Sequence, residues 1–257
     1  MIRFLHIPIG GERIAASLHI PDAAKQRCPV VICCHGLTGT RIGSGYRAVL
    51  LGRRLEGMGI ACLRFDFRGC GESDGSFQSV TARSLIEDLR AVRSAASDMP
   101  EIDVSRTGVY ASSFGAFTAA RLASEIGGLR CCVFIAPVDD PHDLIRRDMT
   151  PEAWAFLRKK GWIDHHGLKL GEAFFETMPR EDGAAMLAQN AKPALIFHGE
   201  GDKQVPIAHG RAYETRLRAA GAEVDLRAID SHDHGLRGAE LSEQIVDQAA
   251  SWLGRFI

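Results

Sequence analysis

The stretch GVYASSFGAFTAA, residues 108–120, decides how the rest of the chain is read. An apolar strand runs into a short turn and straight on into an Ala-rich helix. A residue at the tip of such a strand-to-helix elbow sits on strained backbone, which lifts its side chain above the sheet edge. Strand and helix pass so closely there that the positions two before and two after the tip must be small. Ser113 meets this requirement, between Ala111 and Gly115. Ser112 would lie between Tyr110 and Phe114 and does not. Ser113 is therefore the candidate nucleophile, with Ala111 standing where a glycine is usual in the G-x-S-x-G elbow. Serine is also common as a helix N-cap, so the elbow gains meaning only with partners elsewhere in the chain.

Working outward, short apolar runs alternate with amphipathic stretches, the pattern of a mostly parallel sheet with helices on both faces. A hairpin is expected over 2–9 and 13–20, turning at Gly10-Gly11. Strands follow at 29–34, 60–65, 106–111, 130–136, 193–198 and 223–229, and helices at 45–58, 81–97, 114–126, 206–220 and from about 240. In the helix over 81–97, Leu85, Ile86, Leu89 and Val92 fall on one face. Residues 137–190 are too long for an ordinary connection. They hold Trp154, Phe156, Trp162, Phe174 and Phe175, and read as a helical insertion capping one edge of a single domain spanning 1–257. Packed over Ser113, those aromatics would also form an apolar acyl or aryl pocket. His165-His166 and the run Arg158-Lys159-Lys160 read as exposed surface.

A serine hydroxyl is a poor nucleophile at neutral pH and needs a base, which in turn needs an orienting acid. In this topology the chain order is nucleophile, acid, histidine. IFHGEGDKQVP, 196–206, ends a buried strand and places Asp202 in the next loop. AIDSHDHGL, 228–236, ends the last strand and offers His232 and His234. Both loops leave the carboxyl edge of the sheet, as Ser113 does, and that edge is where open α/β sheets bind ligands.

These runs, with His35-Gly36 after the third strand and DFRGCGES at 66–73, resemble the α/β-hydrolase superfamily of serine hydrolases over nearly the whole chain outside the insertion. HGLTG, DFRGCGESDG and DHGL are similar to runs in bacterial carboxylesterases of the cinnamoyl and feruloyl esterase and serine aminopeptidase-like branch. The resemblance implies ester hydrolysis by a Ser113–His234–Asp202 triad. Thioester or aminopeptidase-type cleavage is the alternative within hydrolysis, and an idle binding protein of this fold the alternative outside it. It favours His234 over His232, and Asp202 over Asp139 or Asp140, whose plain reading is helix capping and solvated charge. It also implies an oxyanion hole built from the backbone N–H groups of Leu37 and Phe114, and a structural floor from Asp66, Arg68 and Gly71. No cofactor is implied. The partner is a small ester molecule, and a monomer or homodimer is the default.

Composition narrows the field further. With 31 Lys+Arg against 32 Asp+Glu the formal charge is −1, without the basic surplus that nucleic-acid binders use against phosphates. No apolar run reaches the length needed to cross a bilayer, and the N-terminal stretch does not read as a signal peptide. The seven Cys contain no C-x-x-C pair. Most sit in apolar runs, as reduced thiols of a cytoplasmic protein would. The spacing of His232 and His234 finds no further ligands for a metal. The G-x-G turn at Gly69-Cys70-Gly71 lacks the lysine of a phosphate-binding loop.

Overall fold

The computed structural model describes residues 1–21, 27–123 and 128–257. In chain order the elements are β1 (Ile2–Ile9), β2 (Glu12–His19), β3 (Cys28–Cys34), α1 (Arg47–Gly57), β4 (Ala61–Phe65), α2 (Ala82–Ser97), β5 (Ile102–Ser112), α3 (Phe114–Ala123) and β6 (Leu129–Ile135). After a long excursion come β9 (Ala194–Gly199), α8 (Ile207–Ala219), β10 (Val224–Ile229) and α9 (Ala239–Phe256). The excursion itself holds α4 (Pro141–Asp148), α5 (Pro151–Lys160), β7 (Trp162–His165), β8 (Leu168–Gly171), α6 (Glu172–Glu176) and α7 (Gly183–Ala188). The expected architecture is present. Positions 124–126, read as the end of the helix after Ser113, lie outside the described residues.

Eight strands form one sheet in the order β1-β2-β4-β3-β5-β6-β9-β10, parallel from β4 to β10. The N-terminal hairpin adds antiparallel to β4. Its turn is Gly10-Gly11, with φ of 56° and 86°, a left-handed pair that glycine adopts without a Cβ clash. Strand β3 is buried throughout and splits its side chains by period two: Val30, Ile32 and Cys34 face one core, Val31 and Cys33 the other. The first core is closed by α2, α3 and α8, the second by α1 and α9. From β3 the chain crosses to β4 on one side and later returns to β5 on the other. The loops leaving the carboxyl ends of β3 and β5 therefore diverge and open a crevice.

The excursion between β6 and β9 corrects the helical reading, because it carries an antiparallel hairpin as well as helices. Trp162 pairs with Gly171 and His165 with Leu168 across a two-residue turn. That turn is His166-Gly167, with φ of 54° and 81°. Such a left-handed pair matches strand twist and makes the tightest hairpin loop. The local signal was an x-H-G-x turn between two short alternating runs, hidden under the aromatic content. A second correction follows from the same alternation. Ile163, His165 and Leu170 share a face, so His165 is half-buried and lines the cavity described below, while His166 in the turn is exposed as expected and borders the same cavity. Arg158, Lys159 and Lys160 are exposed.

All seven cysteines are free and buried. Among the described residues no helix is long and apolar enough to cross a membrane.

Candidate active site

Ser113 sits at the tip of the elbow between β5 and α3, with φ at 52°. Its strained backbone is held from both sides. Ser113 N–H donates to Ile135 O at 2.9 Å, and Ser113 O accepts from Ala116 and Val138 N–H at 3.1 and 3.2 Å. The small-residue requirement at Gly115 has a visible cause: a Cβ there would overlap the backbone carbonyl of His35. A Cβ on Gly36 would press on Ser113 Cβ at 3.1 Å. The loop after β3 thus packs directly on the elbow.

That loop carries Leu37. His35 fixes it, because Phe67 N–H donates to His35 Nε2 at 3.0 Å, which leaves Nδ1 to donate to Gly36 O at 2.7 Å. Burial lowers the His35 pKa, which keeps the ring in this neutral form. The Cys70 thiol, pushed up to about 12 by burial, donates to Leu37 O at 3.4 Å. Beneath lies Asp66, fully buried, which accepts from Arg41 and from Glu72 N–H. A Cβ on Gly71 would overlap the Asp66 carboxylate. Arg68 is paired with Asp88 and Glu12. Leu37 and Phe114 both line the cavity. As the first residue of α3, Phe114 has an N–H with no acceptor inside the helix.

Asp202 is 5% exposed in the loop after β9. Its Oδ1 accepts from Gln204 and Val205 N–H at 2.9 and 3.0 Å. Its Oδ2 accepts from His234 Nδ1 at 2.6 Å. An ionised carboxylate has no hydrogen to give, so Nδ1 carries the proton and Nε2 is left as the acceptor on a ring that lines the cavity. Burial by itself would raise the Asp202 pKa. The His234 hydrogen bond, its charge and the Val205 amide outweigh that effect, and the net direction is down. His198, near the end of β9, donates through Nε2 to Val205 O at 2.8 Å and so holds the acid's loop closed.

The chain therefore brings Ser113, His234, Leu37 and Phe114 to one cavity, with Asp202 behind His234. It does not bring the other candidates there. His232 is exposed and packs against Gly201, where a Cβ would strike its ring. Asp139 is buried at the start of α7, accepting from Ala184 N–H at 2.7 Å. Asp140 caps α4 through His142 N–H at 2.8 Å. The cavity measures about 730 Å³. Leu144, Ile145, Ile163, Phe174 and Met178 from the excursion make much of its apolar wall. Phe174 meets Phe114 tilted at 5.4 Å and Phe175 edge-on at 5.6 Å, and Phe175 in turn meets Trp154 edge-on. Of the excursion's aromatics, Phe174 and Phe175 line the cavity, whereas Trp154, Phe156 and Trp162 do not.

Two residues escaped the sequence reading. Arg47 is 2% exposed and hydrogen-bonds the carbonyls just after His234. Leu236, with φ of 48°, forms the strained floor of that loop. For Arg47 a signal existed: no acid stands three or four positions away, where Gly43 and Ser44 lie before α1 and Leu50 and Leu51 within it.

The quorum-quenching protein AidA of Acinetobacter baumannii is 31% identical over 129 residues, which is 50% of this chain and 41% of that protein. The monoacylglycerol lipase of Mycolicibacterium smegmatis is 25% identical over 95% of this chain and 94% of that protein. Several curated relatives are longer, and the chain spans about half their length. Among solved structures, Est1E from Butyrivibrio proteoclasticus, with ferulic acid bound, aligns with a TM-score of 0.77 at 20% identity over 96% of this chain and 98% of that one. The likeness shows the fold, the α/β-hydrolase fold that the motifs implied. The profile of the prolyl oligopeptidase family matches residues 52–257, a span that takes in the elbow and both loops beyond it, and the chain belongs to that family.

Proposed function

We propose that the protein is a serine hydrolase that cleaves carboxylic esters carrying an apolar acyl or aryl part, with 137–190 acting as the cap of a single catalytic domain. Ser113 Oγ attacks the ester carbonyl and His234 Nε2 takes its proton. Asp202 holds the resulting imidazolium in place. The N–H groups of Leu37 and Phe114 receive the oxyanion, each donor contributing on the order of 3 kcal/mol to the transition state. His234 then protonates the leaving alkoxide, and water repeats the sequence on the acyl-enzyme.

The observation that carries this reading is the 2.6 Å His234–Asp202 bond on a ring that shares its cavity with the strained Ser113. The apolar wall of the cavity supports an apolar substrate. An aminopeptidase needs free acids for the substrate amine; Asp139, Asp140 and Asp143 do not line the cavity, Asp233 on its wall is held by Arg237, and Asp148 is the wall carboxylate through which the anilide arm below tests a peptidase reading. Asp140 and Asp143 both pair with Arg146. Burst kinetics with p-nitrophenyl acetate, beside a thioester and an aminoacyl anilide, test the proposal. Wild type gives an ester burst and labels with a fluorophosphonate, and Ser113→Ala does neither. Equal turnover by the two proteins would sink it, and faster cleavage of the anilide than of the ester would move the reading to a peptidase.

A further inference from the structure

Arg47 is a buried cation that nothing in the proposed chemistry uses. Its side chain starts at the first residue of α1 and reaches the loop between β10 and α9, nearly 190 positions along the chain. Nη1 donates to Leu236 O at 2.7 Å and Nη2 to Gly235 O at 2.6 Å. Among the described residues no carboxylate pairs with it, and its Nε has no partner. Desolvating a guanidinium without a counter-charge is unfavourable, and an apolar residue would serve packing better. Such a group is retained where its planar fork meets a geometric need that a flexible ammonium or a hydrocarbon cannot meet.

The need is visible in what the fork grips. Gly235 and Leu236 immediately follow His234. Leu236 is fully buried at φ 48°, a conformation that is strained for a residue with a Cβ and persists only where its surroundings enforce it. The loop is tied at its outer side by Asp233, which accepts from Arg237 N–H at 2.7 Å and from the Arg237 guanidinium. Leu236 N–H donates to Asp233 O at 2.9 Å. Inside, Arg47 binds both carbonyls, and Ser44 Oγ adds a 3.3 Å bond to Gly235 O. The histidine ring is fixed by Asp202 at Nδ1, but that single bond leaves the ring free to pivot about it.

We infer that Arg47 is a positioning residue, which by bridging the Gly235 and Leu236 carbonyls sets the loop that aims His234 at Ser113. This rests on the ester-hydrolase reading for its catalytic consequence, but the anchor itself can be measured without catalysis. Arg47→Lys keeps the charge and most of the volume, yet cannot span two carbonyls with a planar fork. Arg47→Met removes the donors altogether. Both should lower kcat for a p-nitrophenyl ester about 100-fold, the size expected when a reacting group is misplaced by about 1 Å. Arg47 and Gly235 also line the cavity, so KM is measured beside kcat: a positioning role lowers kcat far more than it raises KM, and a loss carried mainly by KM would overturn it. In Arg47→Ala, added methylguanidine should restore part of kcat, and methylammonium should not. Hydrogen exchange should quicken at Leu236 and Arg237 in all three variants and stay unchanged at Gln204 and Val205.

A core variant on the far face, Leu89→Val, controls for general destabilisation and should keep kcat at a matched loss of Tm. The inference is overturned if Arg47→Met keeps both kcat and the exchange of 236–237 near wild-type values. It is also overturned if Leu89→Val loses kcat in step with it. A wild-type protein that neither turns over esters nor labels at Ser113 would refute the esterase reading, while the exchange arm would still decide whether Arg47 holds the loop.

Discussion

Asp202→Asn puts the proposed proton relay to its sharpest test, because the surroundings of the carboxylate dictate how the amide must sit. Oδ1 receives two backbone N–H groups, from Gln204 and Val205. In the variant the amide oxygen has to take that place, since an NH2 there would face two donors. The NH2 is then left 2.6 Å from His234 Nδ1, at the position Oδ2 holds in the wild type. Facing a donor, Nδ1 must become the acceptor, and the ring proton moves to Nε2, the atom that should collect the proton of Ser113. The fold barely notices, because every hydrogen bond at the site is still made. The base is disabled.

Holding the wrong tautomer in a serine triad lowers kcat by about 10⁴-fold, or about 5–6 kcal/mol in the barrier at 1.36 kcal/mol per decade. Steady-state kinetics with a p-nitrophenyl ester, with urea unfolding to show that stability moves by less than about 1 kcal/mol, read out both halves. Asp139→Asn is the comparator. It alters a carboxylate of equal burial that accepts from Ala184 N–H, and kcat should stay within about twofold. Activity above about a tenth of wild type in Asp202→Asn, or an equal loss in Asp139→Asn, would refute the reasoning.

Two further outcomes follow from the packing. Gly115→Ala drives a Cβ into the His35 carbonyl, so stability should fall by about 1–3 kcal/mol. Because the displaced segment carries Leu37, kcat should drop as well, and a variant that matches wild type in urea midpoint and kcat would show that the elbow is not that tight. His19 is fully buried, accepts from Arg64 Nε at 3.1 Å, and lies 3.4 Å from Glu56 with Arg53 nearby. Burial first, and Arg64 second, lower its pKa from 6.5 to about 4 despite Glu56. Between those values the unfolded chain binds a proton that the folded protein does not. The stability is therefore whole above pH 6.5 and lost as pH falls toward 4, by about 3 kcal/mol at 1.36 kcal/mol per pH unit. Denaturant midpoints from pH 7 to 4 should show a steeper acid loss in wild type than in His19→Gln, and parallel curves would remove His19 from the account.

Some of this was settled by local chemistry and so could be read from the chain. Buried strands announce themselves by apolar runs, and β3 needed no tertiary knowledge to be found. The elbow could be assigned to Ser113 because a steric rule acting over five consecutive residues separates it from Ser112. The excursion was harder, since its aromatic content suits a helix face or a strand face equally, and the two-residue turn at His166-Gly167 is a weak mark in a polar stretch.

Other matters belonged to the folded chain alone. His232 and His234 are chemically alike and two positions apart. Which of them meets Asp202 depends on the strained turn at Leu236, held by an arginine from the first third of the sequence. Asp139 and Asp202 both follow buried strands, and the start of α7 at Gly183 engages one while the other is left to a histidine. Spacing along a chain fixes short-range sterics, and these determined the elbow and the layered sheet. Hydrogen bonds between groups tens to nearly two hundred residues apart exist only once the backbone has closed, and they decided which side chains converge.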